Sequence, residues 1–257
     1  MQKRGQLTII FIAGILLLAI AFFASMAQES AKKGEIAREI QSDPLTSINN
    51  YMQTCLSQTS DAAVYFVSLR GGYFNAPIAS TQVLNANIAH YWDVNRAIVP
   101  TPERISEELG RYIESHIGEC INDFLVFREQ GFSIIDAQPK VIVALSAQNM
   151  VFSLFYPAKI KKGDSEFLLN EFSSTVSLPL GNAYTYANMI LAEQSKTPDL
   201  MPIGYIAALA KEKGFTFEMI NYEEDKVIVS LIFDVSPKDE YLYTFVNKYD
   251  WKNKAEN

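Results

Sequence analysis

The sequence has few of the residue types that build metal and catalytic sites. Its 257 residues include two cysteines, Cys55 and Cys120, and two histidines, His90 and His116. A structural zinc site needs four ligands, and neither cysteine has a close cysteine or histidine partner. The sequence also lacks an HExxH pair, a nucleophile elbow and a glycine loop of the phosphate-binding kind. It therefore predicts no metal, no cofactor and no catalytic residue, and a non-enzymatic protein is favoured.

Positive charge is scarce as well. Lysine and arginine number 22 against 29 aspartate and glutamate residues, a net charge of −7 at pH 7. Lys3 and Arg4 lie at the very start, so the rest of the chain is more acidic than the whole. An acidic surface repels phosphate backbones and anionic lipid headgroups. The charge therefore predicts no nucleic-acid partner and no binding to the surface of an anionic membrane.

One long apolar run follows these two basic residues. Residues 7–27 contain no charged side chain, and their only hydroxyls are Thr8 and Ser25. At about 1.5 Å per residue the run measures about 30 Å, which matches the hydrocarbon core of a bilayer. Basic residues before it favour a cytoplasmic N-terminus. We expect a single pass through the cell membrane, with the lipid bilayer as partner of residues 7–27 and residues 28–257 extracytoplasmic.

Three fates of this run remain open. It is kept as an anchor, cut after Ala27 as a secretory signal, or cut after Gly5 to leave Gln6 first. Secretory apolar segments usually have about 7–15 residues, which is shorter than this run. The letters KRGQL resemble an archaeal class III (prepilin-type) signal, which implies cleavage after Gly5. Ile10 departs from that pattern, because many bacterial pilins carry glutamate at this fifth mature position.

Behind a charged connector, residues 28–43, two amphipathic helices are expected. Ser42 and Asp43 precede Pro44 as a cap, and apolar residues recur at helical spacing to about Leu69, where Gly71 and Gly72 end the helix. A second helix is predicted from Thr101, with an apolar stripe that reaches Leu125.

After Gly131 the period of the apolar residues changes from 3.6 to 2. KVIVALS and MVFSLFY flank a short turn and predict a hairpin, and a further strand region is expected over 167–180. Helices are predicted over 182–194 and 202–213, followed by the strands FTFEMINY, KVIVSLIFDVS and YLYTFVNKY. The fold class is therefore α+β: an N-terminal transmembrane helix, two long amphipathic helices, then a mainly antiparallel sheet with two further helices. The predicted domains are 1–27, 28–43 and 44–257, the last with a helical part to 130 and a mainly β part from 131.

Both cysteines fall on the apolar faces of the two long helices. Two buried thiols are one interpretation. A disulfide is the other, and an exported domain favours it, provided that the two Cα atoms come within about 7 Å.

Aromatic and polar residues crowd the segment 73–100, which shows no steady period. Long irregular segments are usually functional or mobile. Rings with a few polar groups suit the recognition of a sugar, a peptide or a protein. The predicted binding residues are Tyr73, His90, Tyr91, Trp92, Asp93 and Arg96. The alternative is a small satellite core under a long loop.

Neighbouring carboxylates are the remaining candidates for chemistry. Glu107 with Glu108, Glu223 to Asp225, and Asp239 with Glu240 have the residue types of glycosidase acid and base pairs. All are expected in turns or on exposed helix faces, so we interpret them as solvated surface.

Several stretches of the chain resemble a known group of proteins. KRGQLTIIFI, YMQTCL, LRGGY, PTPERISEELGRYIE, ECINDF, PKVIV and YPAKIKKGD occur in this order. Together they resemble uncharacterised archaeal single-pass envelope proteins, over most of the chain to about Phe172. The resemblance implies an archaeal envelope location and a Cys55–Cys120 pair. It implies no catalytic residue and no substrate.

The function favoured by these features is that of a non-enzymatic, membrane-anchored cell-envelope protein. Its extracytoplasmic domain would interact with a protein or an envelope polymer. One alternative is an archaeal type IV pilin-like subunit processed after Gly5, which would form a homo-oligomer or filament. The other is an exported hydrolase or ligand-binding protein.

Overall fold

The structure is a computed structural model in which residues 44–237 and 239–251 are described. The predicted membrane segment, the connector 28–43 and the possible cleavage site at Gly5 and Gln6 lie outside these residues. Within the described ranges, no helix is both long enough and apolar enough to cross a membrane. The described residues belong to two units. Residues 44–51 are the start of the first helix, and the rest of the fold lies in residues 52–251.

Helices and strands are mixed along the chain, which confirms the α+β prediction. In chain order the elements are α1 (Pro44–Ser68), β1 (Ser80–Val83), β2 (Ala86–Asp93), α2 (Pro102–Ile121), a 3-10 turn (Asn122–Phe124), α3 (Leu125–Arg128), β3 (Ser133–Asp136), β4 (Lys140–Leu145), β5 (Met150–Lys162), β6 (Ser165–Val176), α4 (Leu180–Gln194), α5 (Ile203–Lys213), β7 (Thr216–Tyr222), β8 (Lys226–Ser236) and β9 (Asp239–Lys248).

Helix α2 begins and ends at clear local signals. The Thr101 side chain accepts the backbone N–H of Arg104 at 3.2 Å, and proline occupies the first helical position. The apolar stripe had predicted a helix to Leu125, but α2 stops at Ile121. Asn122, Asp123 and Phe124 all have positive φ, so the backbone leaves the right-handed helix there.

The first sheet has the strand order β1-β2-β9-β8-β7, and all its pairs are antiparallel except β2 with β9. Strands β1 and β2 correct the sequence interpretation, which took residues 73–100 as irregular. Ile88 to Trp92 are buried on both faces of the sheet, so they show no alternation of period 2. A bulge between His90 and Trp92 also shifts the register against β9.

The second sheet is built around the thirteen-residue strand β5. Strand β6 pairs along one edge of β5, while β4 and β3 pair with successive parts of β5. The strand predicted over 167–180 ends at Val176, because α4 already begins at Leu180. Gly181 in the first turn of α4 lies against the β4–β5 turn. A Cβ atom there would stand 2.2 Å from the Ser146 carbonyl oxygen, so only glycine fits without displacing backbone.

Helices α1 and α2 each contact a sheet. The rings of Tyr65 in α1 and Tyr241 in β9 lie 5.9 Å apart edge to face, and Ser68 hydrogen-bonds the Tyr241 hydroxyl. Glu114 in α2 accepts the backbone N–H of Val141 in β4 at 2.8 Å. Helix α2 is thereby fixed to the second sheet. Helix α1 contacts both sheets, because Gln53 donates to the Ser173 carbonyl in β6 at 2.7 Å.

Candidate functional site

Three of the predicted binding residues are consecutive in β2 and lie in the interior. Tyr91 is fully buried and Trp92 is 2% exposed, with His90 buried beside them. The Tyr91 ring stacks on Phe245 at 4.8 Å, and its hydroxyl donates to the Gly71 carbonyl at 3.2 Å. Burial disfavours the phenolate and raises the pKa of Tyr91 well above its usual value. These rings fill the first sheet's core.

His90 is a buried imidazole with one partner. Its Nε2 atom lies 2.7 Å from the Thr81 hydroxyl, whereas Nδ1 has no hydrogen-bond partner among the described residues. Burial lowers the pKa of His90, because the charged imidazolium would be poorly solvated there. Thr81 belongs to β1, so this contact links neighbouring strands.

The other three predicted residues lie nearer the surface. Tyr73 is partly buried below the guanidinium of Arg104, which lies 5.9 Å from its ring centre. Asp93 and Arg96 exchange backbone hydrogen bonds of 2.8 and 3.2 Å in a tight turn, and the Arg96 side chain is exposed. The six residues therefore do not share one open surface. Their role in binding stays a prediction.

The disulfide prediction is confirmed. Cys55 in α1 and Cys120 in α2 are bonded, with an S–S distance of 2.07 Å and Cα atoms 5.6 Å apart. Cys55 is 1% exposed, whereas Cys120 is only partly buried, so the bridge runs from the core towards the surface of the helix pair. It fixes the two helices to each other before α2 turns into the left-handed residues 122–124.

Glu108 corrects the interpretation of the paired carboxylates as solvated surface. Glu107 is exposed as expected, but the Glu108 side chain is 0% exposed. Its carboxylate accepts the backbone N–H groups of Phe74 at 3.0 Å and Asn75 at 2.8 Å. It also pairs with Arg104 at 2.5 Å and Arg111 at 3.0 Å. Glu108 therefore holds the start of the segment 73–79 against α2.

The hydrogen bonds to Glu108 place the Phe74 ring in a group of four partly buried rings between α1 and α2. These rings are Phe66, Phe74, Tyr112 and His116. The Tyr112 and His116 rings stack at 4.2 Å, and Phe74 meets Tyr112 edge to face at 5.4 Å. His116 Nδ1 lies 2.8 Å from the Tyr112 carbonyl, to which it donates within its own helix. His116 therefore acts as a packing residue in this group of rings.

A polar cleft lies where the two sheets approach each other. Its volume is about 520 Å³, and it lies among the β4–β5 turn, the start of α4, the end of α5 and the end of β8. Pockets of about 300–1,000 Å³ are typical of small-ligand sites. Six polar residues line the cleft: Gln148, Asn149, Ser177, Asn182, Lys213 and Asp234. No sequence pattern predicts this group, because its members are spread over about ninety residues and each is an ordinary turn or helix-end residue.

One wall of the polar cleft is aromatic. The ring of Tyr186 in α4 stacks on Phe215 at 5.4 Å with an interplanar angle of 14°, and Phe215 lies 5.5 Å from Phe233. Tyr186 is partly exposed to the cleft, while the two phenylalanines are buried. The stack fixes the orientation of the tyrosine ring, which leaves the cleft with one rigid flat surface.

The outward face of the second sheet is apolar in places. Ile142 is 71% exposed and Phe155 46% exposed, and with Ser153 and Glu171 they surround a hollow of about 330 Å³. Ile135 and Leu168 are exposed on the same sheet. A group of exposed apolar side chains on one sheet commonly marks an interaction surface.

The described residues contain no group of three or more His, Cys, Asp or Glu side chains that could hold a metal ion. No family model, no curated protein and no solved structure matches this chain.

Proposed function

We propose that this chain is a membrane-anchored cell-envelope protein of archaeal type whose extracytoplasmic domain is a non-enzymatic interaction module. The disulfide between Cys55 and Cys120 is the observation that carries the proposal. Disulfides persist in oxidising compartments and are rare in reducing cytosol. The bridge fits the direction of insertion that Lys3 and Arg4 favour, with residues 28–257 on the outer side of the membrane.

Two surfaces support a role in binding. The outward face of the second sheet exposes Ile142 and Phe155 around a hollow, and the polar cleft is lined by the amide side chains of Gln148, Asn149 and Asn182. Acid–base hydrolysis of a glycoside uses two facing carboxylates. Among the described residues that line the cleft, Asp234 is the one carboxylate. A binding module is therefore favoured over a hydrolase.

The location is tested on the full-length protein in cells. We expect the protein to stay with membranes during alkaline carbonate washing. We also expect protease added to intact cells to digest residues 44–257, because the domain lies outside. The matched control is the double variant Lys3→Glu and Arg4→Glu, which removes the charge signal for orientation and reduces the digested fraction. Full protection of the wild-type domain in intact cells, with digestion only after lysis, would contradict the proposal.

A pilin-like filament subunit is the second candidate, and the letters KRGQL favour it. The same membrane preparation distinguishes the two by the mass of the N-terminal peptide. A retained Met1 supports the anchor, whereas Gln6 as first residue supports assembly into a filament through residues 6–27. In the second case, Gly5→Leu should abolish the shortened peptide.

A further inference from the structure

We propose that the polar cleft binds a neutral glycan, through amide and hydroxyl groups gathered from the two sheets and the start of α4. The inference rests on the proposed function, since a glycan is the component of an envelope polymer that this site would recognise.

The lining has the hydrogen-bonding groups that a polyol requires. Gln148, Asn149 and Asn182 each present a planar amide, which donates from nitrogen and accepts at oxygen. Neighbouring hydroxyls of a sugar offer the complementary donor and acceptor side by side. Ser177 adds a hydroxyl, and its Oγ–H donates to Asn149 Oδ1 at 2.9 Å. That contact orients the Asn149 amide with its Nδ2 group left for a ligand.

Much of this capacity is unused by the protein. Within residues 44–237 and 239–251, the side chains of Gln148, Asn182 and Asp234 have no hydrogen bond to another side chain or to the backbone. Lys213 pairs with Glu212 at 2.9 Å, and that glutamate is 69% exposed, so the pair is weak and exchangeable. A ligand therefore replaces water at these groups and breaks no strong internal contact.

The charges in the cleft indicate a neutral ligand. Lys213 contributes one positive charge and Asp234 one negative charge. A site for phosphate or sulfate carries several cationic groups or a bidentate arginine, and the lining that the structure describes has neither. Among the apolar residues of the lining, Leu178 and Phe233 are buried, so an apolar peptide side chain would find little apolar surface there. A neutral polyhydroxylated molecule best fits a lining with one positive charge, one negative charge and several neutral polar groups.

The aromatic wall fits the same class of ligand. Sugars present faces of C–H groups as well as hydroxyls, and aromatic side chains at binding sites combine an apolar face with a polar tip. The Tyr186 ring is held flat by its stack on Phe215 at 5.4 Å. The ring therefore offers a surface for the C–H face while the amides engage the hydroxyls.

The cleft is rigid where its two halves meet. The backbone N–H of Asn182 donates to the Ala147 carbonyl at 2.9 Å, which joins the start of α4 to the turn that carries Gln148 and Asn149. The close approach of Gly181 to the Ser146 carbonyl reinforces this junction. A preformed site loses little ordering entropy when the ligand binds, so modest contacts suffice for measurable affinity.

The test uses the full-length protein in a detergent without a sugar headgroup. Glucose, maltose, cellobiose and chitobiose are titrated by calorimetry and by saturation-transfer NMR. We expect saturable binding of at least one disaccharide, tighter than glucose, because a polymer chain extends through the cleft. Asn182→Ala should weaken binding about three- to tenfold, and Asp234→Ala about tenfold or more, as expected for hydrogen bonds to a neutral and to a charged group.

The matched controls are Asn170→Ala and Asp164→Ala, which remove the same side chains from exposed positions on β6 and in the β5–β6 turn. They should leave the affinity unchanged, and near-UV circular dichroism checks that all four variants fold. The inference is overturned if no sugar binds saturably, if the cleft variants bind like the controls, or if inorganic phosphate or tetra-alanine binds in place of the sugars. If no sugar binds but protease digestion of intact cells places the domain outside the cell, only the glycan site is overturned. If the domain lies in the cytoplasm, the proposed function is overturned whatever the affinity for sugars.

Discussion

Reduction of the Cys55–Cys120 disulfide is expected to lower the free energy of unfolding by about 4 kcal/mol. The bridge joins residues 65 positions apart, and the loop between them contains the β1–β2 hairpin. Opening this loop lets the unfolded chain reach many more conformations, which favours unfolding. For a domain of this size the loss corresponds to a fall in Tm of about 8–16 °C. Near-UV circular dichroism of the full-length protein in detergent, heated with and without reductant, measures it.

The control for this prediction is the double variant Cys55→Ser and Cys120→Ser. It should melt near the temperature of the reduced protein and should not respond to reductant. Because Cys55 is 1% exposed, serine would also bury a hydroxyl, so the alanine pair is measured beside it. An unchanged Tm after both thiols have been shown to be reduced would mean that the loop constraint contributes nothing to stability.

The long helices could be predicted from the sequence because their signals are local. Pro102 and the Thr101 cap mark the start of α2, and the apolar spacing marks the helix faces on which Cys55 and Cys120 meet, although only Cys55 is buried. The disulfide followed from those faces together with the resemblance to envelope proteins. Local signals do not report which distant residues meet. That is why one parallel pairing, β2 with β9, was missed.

The polar cleft was beyond prediction for a related reason. Gln148 and Asn149 look like turn residues, and Lys213 looks like the end of a helix, which is where the structure has them. Only the approach of the β4–β5 turn to α4, through Gly181, brings them together. No periodicity or motif records such an approach. The site is a product of the tertiary fold, whereas the elements that carry it are products of local pattern.

Glu108 is an intermediate case, because a signal for its burial was present. It lies one turn before Tyr112 and directly before Leu109, so a charge falls at the edge of the apolar stripe of α2. A carboxylate at such a position needs partners that satisfy it. Arg104 and Arg111 lie four and three residues away and supply two of these partners. The backbone N–H groups of Phe74 and Asn75 could not be foreseen, since they come from a different segment.

Replacing the Glu108 carboxylate should therefore destabilise the fold. We expect Glu108→Ala to lower the free energy of unfolding by about 2–4 kcal/mol, because it leaves two backbone N–H groups and two guanidinium groups without their shared acceptor. Glu108→Gln keeps one acceptor oxygen but not the charge, so its effect should be about half as large. Urea unfolding of the full-length protein gives the free energies. Hydrogen exchange at the amides of residues 74 and 75 should accelerate in Glu108→Ala, because these amides lose the acceptor that protects them.

Glu107→Ala is the matched control, since it removes the same side chain one residue earlier. Glu107 is 58% exposed and its ion pairs with Arg104 and Arg111 are 3.6 and 3.7 Å long. Solvent screens such pairs, so its effect should stay within about 0.5 kcal/mol. Equal losses in Glu107→Ala and Glu108→Ala would show that the segment 73–79 is held by the packing of Phe74 against Tyr112 and His116. A larger loss of unfolding free energy in Glu108→Ala, with faster amide exchange in that variant alone, would show that the buried carboxylate of Glu108 holds this segment against α2.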